Sequence, residues 1–147
     1  MDEKLPNVIG LASDHAGYDL KENIKAELIK KNIQIIDQGT FSNDSVDYPD
    51  YGKLLGAIVS KREVKYGIAI CGSGIGISIA LNRISGVRAA LCHNKDMVKL
   101  ARLHNNANVI VFGSRFINFR EALDLISIFD KENFEGGRHV PRVKKLG

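Results

Sequence analysis

A chain of 147 residues, 44% apolar and 26% charged, is long enough to bury its own core, and residues 1–147 read as one domain. Two cysteines, Cys71 and Cys92, both lie inside apolar runs, which argues against a disulfide framework or a cysteine-built zinc site. The net charge of +4 is carried by bases interleaved with acids and Trp is absent, so a nucleic-acid surface is disfavoured and a small anionic substrate suits the balance.

The opening segment, MDEKLPNVIG, has no apolar leader, and no later run is long enough to span a bilayer, so the expected location is the cytoplasm. Val8–Ser13 (VIGLAS) reads as a buried strand running into DHAGYD. A helix is expected next, with Leu20, Ile24, Leu28 and Ile29 facing inward and Lys21, Lys25 and Lys30 outward. Residues 33–37 (IQIID) form a second strand. A long loop, QGTFSNDSVDYPDYG, then leads to an amphipathic helix at 54–61. Residues 67–71 (GIAIC) are a third strand, followed at once by GSGIG and an apolar helix, ISIALNRI. Residues 87–92 give a fourth strand, 95–102 the start of a helix, 109–112 a fifth strand and 120–129 a last helix. From about residue 130 the chain is a polar tail with a Gly-Gly pair and several bases. Continuous apolar strands alternating with helices predict a Rossmann-like three-layer αβα sandwich, doubly wound on a five-stranded parallel sheet. Ligands of such sheets collect at the carboxyl ends of the strands, near the switch in strand order.

The residues with chemical potential fall just after those strands. Asp14-His15 ends the first, where a carboxylate beside an imidazole can exchange protons with a sugar hydroxyl; Asp14 fits a helix cap equally well. The third ends in Cys71-Gly72-Ser73-Gly74-Ile75-Gly76, where backbone amides and the positive end of the next helix can cradle an anion. A thiolate at Cys71 could serve there as a base, although burial is the commoner reason for a free Cys. A dinucleotide fingerprint would need Gly where Ile77 stands and an acid where the fourth strand closes with Cys92-His93-Asn94. His104-Asn105 sits before the fifth strand, as a proton-transfer group or a helix-end histidine. Arg115, Arg138 and Arg142 are natural phosphate partners, although bases in a tail are usually only solvated. Tyr48 fits either stacking on a sugar ring or a turn before Pro49. His15, His93, His104 and His139 lack the spacing of metal ligands on one element, so no metal site is expected.

Taken in order, DHAG, DYPDYG, ICGSGIGISIA, HNNAN, FGSR and EGGRHVPRV resemble the type B ribose-5-phosphate isomerases, a group that includes galactose-6-phosphate and allose-6-phosphate isomerases. The resemblance implies interconversion of ribose 5-phosphate and ribulose 5-phosphate through a cis-enediolate, in the non-oxidative pentose phosphate pathway, with no metal or organic cofactor. It implies that Cys71 is the base and that Gly72, Ser73, Gly74 and Gly76 hold the enediolate oxygens. Asp14 and His104 would open the sugar ring, Tyr48 and Asn105 would contact the sugar, and His15, Arg115, Arg138 and Arg142 would bind the phosphate. It further implies a homodimer, or a tetramer built from it, with the site shared between subunits and His104 and the arginines coming partly from the neighbour. Ser73 stands where many relatives carry Thr, which keeps the hydroxyl. Some relatives use a Glu base further along this loop; residues 75–79 hold no acid, leaving Cys71 as the loop's candidate.

Overall fold

Side-chain alternation along the strands decides which helices cover which face of the sheet. The computed structural model describes residues 4–147, so the first three residues of the opening segment lie outside the described part. Its strands are β1 (Val8–Ser13), β2 (Gln34–Asp37), β3 (Tyr66–Cys71), β4 (Ala89–Leu91) and β5 (Val109–Gly113). Its helices are α1 (Tyr18–Lys30), α2 (Tyr48–Ser60), α3 (Ile75–Asn82), α4 (Lys95–Asn105), α5 (Phe119–Lys131) and the short α6 (Val140–Lys144), with single 3-10 turns at His15–Gly17 and Gly137–His139. All strand pairings are parallel, in the order β2-β1-β3-β5-β4. Ile68 and Ile70 of β3 and Ile110 and Phe112 of β5 join the core with α1, α4 and α5. Ala69, Cys71, Val109 and Val111 point the other way, into the core formed with α2 and α3. The expected three-layer sandwich is therefore present, with both faces of the central strands dry. Among the described residues, no helix is long and apolar enough to cross a membrane.

Four local expectations need correcting. Helix α2 begins at Tyr48 instead of residue 54, because Pro49 in its first turn lacks only an amide that the helix would leave unpaired anyway. Its period is masked by Gly52 and Gly56, where α2 packs closely on Ile77 and Ile84, a Cβ falling 3.1 Å from the first side chain and nearer still to the second. On α1 the inward stripe is Leu20, Ile24 and Leu28, while Ile29 is 54% exposed. Lys21, expected outside, is 1% exposed, its ammonium bonded to Asp37 at 2.8 and 2.9 Å and to Glu22 at 2.8 Å. A buried cation survives only when carboxylates meet it, and Asp37 at the end of β2 is placed to do so. Finally, β4 is cut to Ala89–Leu91 because it is an edge strand: Asn108 and Asn82 side chains take the amides of Arg88 and Ala89.

Candidate active site

The order β2-β1-β3 places the reversal of winding between β1 and β3, where Ser13 pairs with Ile70. Their carboxyl ends therefore open side by side. Ser13 is locked by its amide to Gly39 O (2.7 Å) and by its carbonyl from the Thr40 amide (2.8 Å). Gly39 is itself held by Asp37, whose Oδ1 accepts the Gly39 amide at 2.9 Å. Burial alone would raise the Asp37 carboxyl, but hydrogen bonds from Lys21 and Lys25 and the Gly39 amide outweigh it and hold it below its ordinary value. Lys21, expected on the outside of α1, thus helps fix the rim of the cleft through Asp37.

Asp14 follows, 6% exposed, with its amide on Ile70 O (3.2 Å) and Oδ1 accepting the Gly17 amide (3.1 Å). It caps the 3-10 turn, and its second oxygen is left for other partners. His15 Nδ1 lies 3.1 Å from the Val46 amide and 3.2 Å from the Val46 carbonyl. Beneath them the Ser13 hydroxyl is fully buried without a hydrogen-bond partner.

Cys71 ends β3 with 3% exposure, and its Sγ accepts the Gly74 amide at 3.2 Å. The expected amide cradle is thus partly spent on the sulfur: Gly74 serves the thiol, and the Ile75 amide goes to Ser73 Oγ at 3.2 Å. Gly74 has φ +77°, and a Cβ on it would fall 2.5 Å from Leu91 and 2.9 Å from the Gly113 amide, so only glycine makes this turn. Gly76 is covered by the Tyr48 ring, 2.5 Å from where its Cβ would be. Tyr48 is therefore no turn marker; it is the first residue of α2, standing over the start of α3.

From β5, the Ser114 amide bonds Cys71 O (2.9 Å) and the Arg115 amide bonds Gly72 O (3.1 Å). The Arg115 guanidinium then lies across Gly72, 3.2 Å from its Cβ position. The Ser114 hydroxyl donates to Ala16 O at 2.8 Å and ties this loop to the first. One end of the sheet therefore gathers Asp14, His15, Tyr48, Cys71, Gly72, Ser73, Gly74, Gly76 and Arg115. Cys92, the other cysteine, packs in the opposite core, where burial pushes its thiol up to about 11.

His104, Asn105, Arg138 and Arg142 lie elsewhere. His104 and Asn105 close α4 and precede β5, whereas Cys71 is level with Gly113 at the far end of that strand. The five residues of β5 separate the two levels, about 13 Å from its first to its last residue. There the ring of His104 stacks on His139, centroids 4.2 Å apart and planes 16° from parallel, with Glu135 Oε2 4.0 and 3.7 Å from their Nε2 atoms. The two histidines share no element, as their spacing implied, and they meet because folding the tail back joins residues distant in sequence. These three side chains are the cluster among the described residues able to offer ligand atoms to a metal, all within 4.8 Å of one another. Near-parallel rings aim their in-plane lone pairs side by side, so a bound ion would require the rings to turn. Burial, then His104 and Arg138, hold His139 below its ordinary value. Sequence reasoning missed Ser13, Lys21, Ser114 and Glu135 as parts of these arrangements. None carries a local signal, since each acts through a partner far along the chain.

The family model described as Ribose/Galactose Isomerase matches residues 9–146. Ribose-5-phosphate isomerase B of Escherichia coli is 40% identical over 138 residues, covering 94% of this chain and 93% of the relative. A structure of ribose-5-phosphate isomerase B from Clostridium thermocellum superposes with a TM-score of 0.93 at 46% identity, covering 95% of each chain. The Mycoplasma genitalium enzyme, solved with bound ribulose-5-phosphate, superposes with a TM-score of 0.90 at 39% identity, covering 97% of this chain and 95% of that one.

Proposed function

From the premise that this chain belongs to the ribose/galactose isomerase family, we propose that it interconverts D-ribose 5-phosphate and D-ribulose 5-phosphate at the cleft between β1 and β3. The observation that carries the reading is the Cys71 sulfur, seated at the switch point with an amide donated to it. Cys71 Sγ takes the C2 proton of the open-chain aldose, giving a cis-enediolate, and returns it to C1 while the proton on O2 moves to O1. The amides of the Gly72–Gly76 loop other than those of Gly74 and Ile75, with the Ser73 hydroxyl, stabilise the oxygens as charge develops. Asp14 handles the hydroxyl protons, Tyr48 covers the sugar, and His15 and Arg115 face the phosphate, whose binding steadies the reacting end.

The remaining site residues lie too far along the sheet to close over the same cleft. We infer that a second copy supplies His104, Asn105, Arg138 and Arg142, as a homodimer with two shared sites. The exposed Ile75 and Ile79 on α3, beside the cradle, offer that copy an apolar seat. The chain then works as a single domain, in the cytoplasm, without metal or organic cofactor.

Proton NMR of ribose 5-phosphate with the protein in deuterated buffer plus chelator tests this. Ribulose 5-phosphate should appear, with deuterium entering at C1. Inert ribose 5-phosphate, allose 6-phosphate and galactose 6-phosphate alike would leave a silent sugar-phosphate-binding protein. Activity lost to chelator and restored by added metal would overturn the metal-free mechanism.

A further inference from the structure

The amino end of the sheet, opposite Cys71, holds a cavity of about 830 Å³, the size of a small-ligand site. Its walls come from the carboxyl ends of α2, α4 and α5 and the amino ends of β1, β3, β4 and β5. Tyr66 and Phe129 supply an apolar wall, and Arg88, Arg102, Lys4 and Lys65 line it with positive charge. Arg88 and Arg102 are partly buried, and their bonds run to neutral oxygens. Arg88 reaches Asn106 O (2.9 Å) and Gly86 O (3.4 Å); Arg102 reaches Glu132 O (3.1 Å), Asn106 Oδ1 (3.1 Å) and Ala107 O. No ion pair among the described residues joins either to a carboxylate. Of the two acids on the walls, Asp130 is already paired with Lys65 at 2.9 Å, and Glu132 meets Arg102 through its backbone carbonyl. The helix carbonyl ends answer part of this charge, but their partial charges do not balance two guanidinium ions withdrawn from water. Burial, then the neighbouring guanidinium, depresses both groups: Arg62 acts on Arg88, and Arg88 on Arg102.

We propose that this cavity is a second anion site, separate from the isomerase cleft, that takes a phosphate-bearing small molecule on Arg88 and Arg102 as an effector. The shape supports an organic phosphate, with charged groups on the bonded side and the Phe129 ring, already stacked under Arg102 at 5.4 Å, on the other. An effector role follows from what the arginines hold. Asn106, gripped by both, sits in the left-handed conformation directly after His104 and Asn105. Glu132, gripped by Arg102, begins the segment whose Glu135 amide bonds Leu103 O and whose side chain faces His104. An anion that draws the guanidinium groups toward itself loosens both grips at once. The inference does not depend on which sugar phosphate the cleft converts.

The test is a ¹H–¹⁵N NMR titration of the full chain with inorganic pyrophosphate, ionic strength held constant with chloride. Amides of Arg88, Ala107, Asn108 and Asn133 should shift along one saturating curve, distinct from the curve of Gly72, Ser73 and Gly76. His104 and Asn105 should follow the first curve. Arg88→Met should weaken the first curve at least about tenfold, the worth of one charged hydrogen bond, and leave the second unchanged. Lys65→Met, at a partly exposed site, should also weaken the first curve, because it leaves Asp130 uncompensated in the cavity; this arm stands even if Arg88→Met fails to fold. Shifts confined to the Gly72–Gly76 loop, or reproduced by chloride, would overturn the site. Unchanged affinity in Lys65→Met would do the same. A first curve that leaves His104 and Asn105 still would overturn the effector role.

Discussion

At the carboxyl end of the sheet, Cys71, Ser73 and Gly74 are neighbours in sequence, and the contacts among them are largely backbone: an amide on the sulfur, an amide on a hydroxyl, a left-handed glycine. At the amino end, His104 of α4 meets Glu135 and His139 of the tail, and Arg88 and Arg102 act through long side chains on carbonyls. The first end is rigid because strand ends and a helix start leave the backbone little freedom. The second depends on how the tail folds back, so it is the end able to respond to a ligand or to a second copy. A proton-transfer step needs the first kind of construction, since small misplacements of the base are costly. Closure over a substrate suits the second.

The comparison breaks most sharply at the sulfur. Cys71→Ala should lower turnover by about a thousandfold or more, as loss of a positioned base does, with sugar-phosphate binding still measurable by calorimetry; near-normal turnover would remove Cys71 as the base. Next is the ion pair beneath the same rim. Asp37→Asn leaves the buried Lys21 with Glu22 as its one carboxylate and should lower the unfolding free energy by about 3 kcal/mol. The Asp37 carboxyl is held below its ordinary value, so its contribution is complete above the unfolded carboxylate range and disappears as pH falls through the folded value. Thermal melts should thus steepen below about pH 4 in the native protein and flatten in Asp37→Asn. An equal acid slope in both would dismiss this pair as the source.

At the amino end, effects should be smaller and confined to binding. Arg138→Ala and Arg142→Ala should each raise KM about tenfold, one charge-assisted contact's worth, with melting temperature unchanged since both are exposed. A fall in stability with KM intact would make the tail structural. Last, mixing inactive Cys71→Ala and His104→Ala chains should restore about a quarter of native activity, because half of randomly paired dimers carry one intact site in two. No recovery after subunit exchange would place both residues' roles within one chain.

The sandwich and the strand-end residues were legible because they rest on local chemistry. Apolar runs fix the strands, and glycine at position 74 meets a demand of the turn itself. Helix α2 was legible only in its second half, since the glycines that let it approach α3 remove the apolar marks a periodicity needs. Lys21 was misread for a related reason: charge predicts exposure unless a carboxylate from another element arrives, and Asp37 comes from β2.

The sequence by itself determined the layered α/β architecture, the end of the sheet where Cys71, Asp14 and Arg115 would assemble, and the family resemblance that fixes the chemistry. Tertiary structure alone decided that His104 stands at the opposite end of the sheet, stacked on His139, and that Arg88 and Arg102 line one cavity with no ion pair among the described residues joining either to a carboxylate. The physical reason is range. Strand ends and glycine turns are set by the backbone within a few residues, whereas the pairing of distant side chains depends on the strand order β2-β1-β3-β5-β4, which no local pattern encodes.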